Sequence, residues 1–195
     1  MIIYLVRHGQ TTGDIEGRYG GDYEDHLTDH GKEQSLVLAN RLALKYAQAL
    51  YASPKIRAQE TAAIVAQRIG LSVNTLQEFR ERNGYGVMTG MKKEEARQRY
   101  PEYVAGLKAD VHYNVEGAEL YEQFRQRITA ALVAVGKLPY ERTILVTHGG
   151  PIRLIFREIL KLGEIEVGDC AFATIDTNDG DYLLLDVHKI KVLTP

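Results

Sequence analysis

Apolar positions fall along this chain in two rhythms. Short unbroken runs rich in β-branched and aromatic residues mark buried strands, and longer stretches with an apolar residue every three or four positions mark amphipathic helices. Ile2 to Val6 is a run of the first kind and ends abruptly in Arg7-His8-Gly9. Gln10 to Asp29 shows neither period; rich in Gly, Asp, Thr and Tyr, it reads as a loop longer than most connections, a length often associated with function. Thr28 or Asp29 then caps a helix whose apolar face is Leu36, Leu38, Ala39, Leu42, Ala43 and Tyr46. Ala49 to Ala52 is a short strand stopped by Ser53-Pro54, and Pro54 suits the start of a helix running to about Ile69, closed by Gly70. Ser72 to Leu76 reads as a strand, and Gln77 to Gly90 as a charged segment punctuated by glycines. Lys92 to Tyr100 is predicted helical, with Pro101 breaking the helix or restarting the chain, and Leu107 to Gly117 is irregular. Ala118 to Leu138 forms a long helix on Leu120, Phe124, Ile128, Ala131, Leu132 and Val135. A second buried run, Thr143 to Val146, leads through Thr147 into His148-Gly149-Gly150, and Pro151 opens a helix to about Leu162. Cys170 to Thr177 and Tyr182 to His188 are strands, joined by the hairpin signal Asn178-Asp179-Gly180.

Alternation of strands and helices predicts an α/β fold: a three-layer αβα sandwich with a mostly parallel mixed sheet and a C-terminal antiparallel hairpin. No repeat, low-complexity tract or linker interrupts the chain, so residues 1–195 read as one domain. With 45% hydrophobic and 26% charged residues the composition is that of an ordinary globular protein. A net charge of −2 gives no global basic field for nucleic acid, so any basicity that holds phosphate must be local. The single Cys170 excludes an intramolecular disulfide and a thiolate metal site. No apolar run approaches the ~20 residues of a membrane span. The first residues lack a basic segment and cleavage site, so the expected location is the cytoplasm. Oligomeric state is left open.

Two buried strands that each end in His-Gly are what the rest must explain. Open α/β sheets place ligands at the carboxyl ends of their strands. A histidine attacking phosphorus needs a neutral nitrogen, cations to hold the anion and little competing water. Arg7 and His8 leave a strand on opposite faces, and Gly9 permits the backbone to turn beyond it. Taken alone, Arg-His-Gly is equally compatible with a histidine making a structural hydrogen bond. His148 stands at a strand end before a helix, whose free N–H groups suit phosphate, although a glycine-rich turn can also be a mere connection. No third ligand stands at helical or strand spacing from either histidine. Catalytic zinc usually takes three protein ligands, so no metal is expected.

Several blocks then occur in one order: Arg7-His8-Gly9 with Thr11 and Gly17-Arg18; Leu27-Thr28-x-x-Gly31-x-x-Gln34; Ser53-Pro54-x-x-Arg57-Ala58-x-Glu60-Thr61-Ala62; Glu81-Arg82 leading to Gly90; and Thr147-His148-Gly149. This order, from residue 2 to about 153, resembles the histidine phosphatase (phosphoglycerate mutase-like) superfamily. The resemblance implies that His8 is the nucleophile and carries a transient phosphoryl group. It also implies that Arg7, Arg57 and His148 bind the phosphate oxygens, with Gly149 beside them, and that Glu81 protonates the leaving alcohol. Two arginines and an imidazole can neutralise the charge without a cofactor. Near a bound phosphate dianion a carboxyl acid is favoured in its protonated form.

Departures from the family pattern sharpen the questions. Gln10 replaces the usual Glu. Asp14 stands where an Asn contacts phosphate, so its carboxylate either turns away or binds a substrate hydroxyl. One extra residue in the Glu81 block leaves Glu78 as the alternative acid. Gly117-Ala118-Glu119-Leu120 lacks the family's Ser, and Glu119 also reads as a first-turn helix residue facing the dipole. Tyr19, Tyr23 and Tyr85 either line a pocket or pack loops; Lys92 and Lys93 read as a solvated helix start, although by the resemblance Lys93 lies where mutases hold a substrate carboxylate; His26, His30, His112 and His188 read as surface or structural residues. The Arg-Arg-Ser stretch of mutases has no counterpart in Met91 to Glu116, so hydrolysis of a small phosphorylated metabolite is the preferred activity. A mutase, kept open by Arg97 and Arg99, and a non-catalytic binder of phosphorylated ligands are the alternatives.

Overall fold

A computed structural model describes residues 1–110, 113–178 and 180–193. Its strands are β1 (Ile2–Arg7), β2 (Ala49–Ala52), β3 (Val73–Thr75), β4 (Arg142–Thr147), β5 (Ile165–Asn178) and β6 (Asp181–Val192). Its helices are α1 (Thr12–Ile15), α2 (Asp29–Ala43), α3 (Ile56–Ile69), α4 (Lys93–Arg99), α5 (Pro101–Ala109), α6 (Tyr121–Gly136) and α7 (Gly149–Leu154), the last running on into a wider π turn over Ile155–Ile159. The strands form one six-stranded sheet in the order β3-β2-β4-β1-β5-β6. β1, β2, β3 and β4 are mutually parallel, while β5 runs antiparallel to β1 and β6 antiparallel to β5. This is the mixed α/β sheet with a terminal hairpin that the hydrophobic pattern predicts.

Side chains alternate across β1 and so build two cores. Ile3 and Leu5, with Leu145 of β4, pack beneath Phe124, Ile128, Leu132 and Val135 of α6 and Ile152 of α7. Tyr4 and Val6, with Ile144 and Val146, face Leu38, Ala39 and Leu42 of α2 and Ala58, Ala62 and Val65 of α3. A small third cluster of Met88, Ala96, Val104 and Val115 seats α4 and α5, with Tyr19 and Tyr85 against it.

The two central parallel neighbours are β1 and β4, in register from Ile2 opposite Arg142 to Arg7 opposite Thr147. From β1 the chain steps outward to β2 and β3, and it returns through α6 to β4. The seam between β1 and β4 is thus where the strand order reverses, the position at which open sheets form their crevice. The next residue of each strand is a histidine.

Several expectations need correction. The loop after β1 contains a short helix, α1, whose Thr11 hydroxyl accepts from Asp14 N while Asp14 accepts from Thr11 N, a capping box too brief to show a helical period. Pro101 restarts the chain as the first residue of α5, which carries Leu107 in its last turn, so irregular chain begins later than predicted. The long helix begins at Tyr121 rather than Ala118. β5 begins at Ile165, well before Cys170, because Val167 pairs with Ile190 and Phe172 with His188 while Gly168 to Ala171 bulge out opposite Lys189. That bulge looks in sequence like the end of a strand. His112 and Asp179 lie outside the described residues.

Candidate active site

His8 is held at both backbone ends: its N–H donates to Thr147 O of β4 (3.1 Å), and its carbonyl accepts from Cys170 N in the β5 bulge (3.1 Å). The residue is 5% exposed. Its Nδ1 lies 2.8 Å from Gly9 O, and a carbonyl can only accept, so Nδ1 carries the proton and Nε2 presents a lone pair. Burial, then the charges of Arg57 and Arg7, hold the His8 pKa well below the usual histidine range, which keeps Nε2 unprotonated at neutral pH. Gly9 serves closeness rather than a turn conformation, since a Cβ there would strike Gly31 O at the start of α2.

His148 follows β4 and is fully buried, its ring centroid 5.1 Å from that of His8 at an interplanar angle of 62°. Ser53 Oγ lies 2.6 Å from His148 Nε2, and among the described residues the buried Nδ1 meets no partner. Burial, followed by Arg57, His8 and Arg7, lowers this pKa too.

Arg57 enters from the first turn of α3, almost wholly buried. Of its five N–H donors, one goes to Tyr23 O (2.8 Å), one to Asp25 Oδ1 (2.9 Å) and one to Gly21 O (2.9 Å). Among the described residues, Nε–H and one Nη2–H have no partner. Asp25 also accepts from the Tyr23 hydroxyl at 3.0 Å, so this buried ion pair fastens the loop before α2 against α3. Arg7 donates through Nη1 to Val167 O (2.7 Å), and its Nη2 lies 3.2 Å from Asp169 and 3.7 Å from Asp14 Oδ1. Asp14 Oδ2 accepts from Thr11 N and Thr11 Oγ1, both at 2.9 Å. The Asp14 carboxylate is thus spent on the α1 cap and on Arg7. Burial raises the Asp169 pKa against the pull of Arg7.

Glu81 and Glu78 separate clearly. Glu81 Oε2 accepts from Gly150 N (3.0 Å) at the start of α7, and Oε1 accepts from Arg82 N (2.8 Å). A Cβ at Gly150 would collide with Oε1, so that glycine is what lets the carboxylate rest beside His148 and Gly149. Glu78 is exposed on a 3₁₀ turn over Gln77–Phe79, its carbonyl accepting from Arg127. The segment between them is anchored by buried Phe79, whose carbonyl accepts from Thr147 Oγ1 at 2.7 Å. Glu119 pairs with Arg127 (2.8 and 2.7 Å), away from the histidines' own hydrogen bonds.

The remaining candidates are structural or peripheral. Tyr23 covers Arg57, while Tyr19 and Tyr85 lie 4.7 Å apart on the third cluster. Lys92 and Lys93 are exposed, and Arg97 and Arg99 pair with Glu94 and Glu95 on the outer face of α4. His26 contacts Glu60, His30 is exposed near Glu33, and the His188 ring packs on Phe172. Sequence reasoning missed Ser53, Asp25 and Asp169 as partners of the site. Ser53 stood inside a recognised block, but Asp25 and Asp169 sit in an aperiodic loop and a bulge, where no period marks them. Among the described residues no three His, Cys, Asp or Glu side chains gather as a metal site, and no helix is long and apolar enough to cross a membrane.

Fold and site together define an α/β protein with a histidine just beyond each of two central strands, Arg7 at the end of one of them and Arg57 entering from α3. The model of the histidine phosphatase superfamily (branch 1) matches residues 3–187, and the chain belongs to that family. It is 36% identical over 159 residues to phosphoglycerate mutase-like protein 4 of Arabidopsis thaliana, covering 79% of this chain and 69% of that protein. It is 33% identical over 162 residues to a metal-independent phosphoserine phosphatase of the same plant, covering 80% and 68%. The crystal structure of the alpha-ribazole phosphatase from Shigella flexneri superposes with a TM-score of 0.83 at 25% identity, over 95% of each chain.

Proposed function

We propose that this protein is a phosphomonoester hydrolase that works through a phosphohistidine on His8 and needs no metal. The observation that carries the reading is His8 itself: a buried imidazole whose Nδ1–H is fixed on Gly9 O, leaving Nε2 free among Arg7, Arg57 and His148. Nε2 attacks phosphorus as the ester P–O bond breaks. Glu81 in its acid form, beside Gly150, gives its proton to the departing alkoxide. The Glu81 carboxylate then takes a proton from water, which attacks phosphorus and breaks the P–N bond, releasing inorganic phosphate and restoring His8. Arg57 contributes Nε–H and its spare Nη2–H to the phosphoryl oxygens, and Arg7 contributes charge and its buried Nε–H. With Ser53 Oγ–H donating to His148 Nε2, the proton of that neutral ring sits on Nδ1, where it can donate to the phosphoryl group. Asp14 orients Arg7 rather than binding substrate.

Hydrolysis is favoured over a mutase because Arg97 and Arg99 are occupied on the outer face of α4 by Glu94 and Glu95. The substrate is a small phosphorylated metabolite, in keeping with the relative named a metal-independent phosphoserine phosphatase. The test is para-nitrophenyl phosphate turnover with and without EDTA. Wild type should turn over equally in both, and His8→Ala should fall at least about a thousandfold while keeping its melting temperature. Loss with EDTA restored by a divalent cation, or substantial turnover by His8→Ala, would overturn the reading.

A further inference from the structure

Arg7 does not meet phosphate as a free cation. Its Nη1 donates to Val167 O, and its Nη2 lies 3.2 Å from Asp169 Oδ1 and 3.7 Å from Asp14 Oδ1. Two separate elements bring those carboxylates to it: α1, entered through the Thr11–Asp14 capping box, and the bulge of β5. Burial holds the Asp169 pKa above the ordinary carboxylate range; Arg7 pulls it down and Asp14 pushes it up, so the two carboxylates act on each other. Lys189 of β6 and a hydrogen bond from Gln34 of α2 also face Asp169. Asp14 in turn acts on Tyr23, the residue that covers Arg57.

A site for a phosphoryl dianion gains most from positive charge that nothing opposes. Here the cations are already matched before a dianion arrives. Arg7 faces Asp14 and Asp169, Arg57 faces Asp25, and Lys55 faces Asp22 and Glu24. The two histidines add no charge at neutral pH, because burial and the guanidinium groups depress both. Asp25 is buried behind Arg57, where it fastens the loop before α2. Asp14 and Asp169 differ from it, since their side chains keep 39% and 23% of their exposure and border Arg7 on its solvent side. Charges a few ångströms apart at a protein surface change an anion's affinity by about tenfold or more. Asp14 and Asp169 therefore oppose whatever anion Arg7 attracts.

We propose that Asp14 and Asp169 are counter-charges that set how tightly the site holds phosphate: they keep Arg7 in place while weakening its grip, so that inorganic phosphate leaves after hydrolysis. A phosphotransferase must keep its phosphoryl group between substrates, whereas a hydrolase must let it go, and the pair suits release. This inference rests on the phosphatase reading, and the test separates the two. The probe is sulfate, a tetrahedral dianion whose charge is fixed across the working pH range, titrated calorimetrically at constant ionic strength. At pH 7.5, Asp14→Asn and Asp169→Asn should each bind sulfate about tenfold more tightly than wild type, because the amide oxygen still accepts from Arg7 but carries no charge. Asp14→Glu should bind as wild type does. The advantage of Asp169→Asn should shrink as pH falls toward 5, where the wild-type carboxyl takes up its proton. Inorganic phosphate should inhibit para-nitrophenyl phosphate turnover by either Asn variant at about a tenth of the concentration that wild type requires. Either variant carries the test alone should the other melt early. Equal or weaker sulfate binding in the Asn variants, the outcome of a purely structural role, would overturn the inference. Absence of aryl phosphate turnover by wild type would overturn the phosphatase reading instead, and sulfate binding would still decide the role of the pair.

Discussion

Two imidazoles buried next to two guanidinium groups cannot both be charged, and this has a consequence for stability. Burial first, then Arg57 and Arg7, depress the folded pKa of His8, and His148 is depressed by the same surroundings and by His8. In the unfolded chain both titrate near the ordinary value of about 6.5. Below that pH the unfolded state binds protons that the folded state refuses, so stability falls as pH drops below about 6.5. The slope is up to about 1.4 kcal/mol per pH unit for each histidine. Urea melts at pH 7.5 and 5.5 should show the loss, and His148→Asn should flatten the slope; identical midpoints in wild type would contradict it. The buried Arg57–Asp25 pair makes a second residue-level prediction. Arg57→Met strands Asp25 and should cost about 3–5 kcal/mol, whereas adding Asp25→Asn should recover much of the stability and none of the activity. Arg57 itself was legible from its block of residues. Asp25 was not, because its partner lies on α3, far along the chain, and neither residue's neighbours encode the pairing.

At the scale of elements, the glycine at the start of α7 and the 3₁₀ turn over Gln77–Phe79 give the two candidate acids different surroundings. Spacing alone left Glu81 and Glu78 as rivals; contact with Gly150 N separates them, since Glu78 is exposed. Glu81→Gln should lose about 10²–10⁴ in kcat on an alkyl phosphate and far less on para-nitrophenyl phosphate, whose leaving group needs little protonation. Glu78→Gln should change neither. Gly150→Ala should mimic Glu81→Gln in part by pushing the carboxylate aside; full alkyl phosphate activity in that variant would remove Glu81 from its role. Strands β1 and β4 were readable because each is a continuous apolar run buried on both faces. The β5 bulge and α1 were not, for opposite reasons. Gly168-Asp169 resembles a strand end although pairing resumes at Phe172, and α1 is too short for a period to register. The bulge matters because it carries Asp169 to Arg7 and the Cys170 N–H to the His8 carbonyl.

Across the whole molecule, the outward path from β1 to β3 and the return to β4 bring residues 8 and 148 side by side, with Arg57 and Glu81 reaching in from the connections between. The alternation of elements made that architecture legible, and the order of motifs indicated what the crevice holds. What the pattern could not show was the ion pair of Arg7 with Asp169, because those residues meet only through tertiary packing. The central claim is chemical: the phosphoryl group passes through His8. Rapid quench of the enzyme with ³²P-labelled substrate, followed by peptide mapping, tests it directly. The account predicts label that is acid-labile, base-stable and located on His8, and lost in His8→Ala. Acid-stable label on another residue, or turnover by His8→Ala at the wild-type rate, would contradict it.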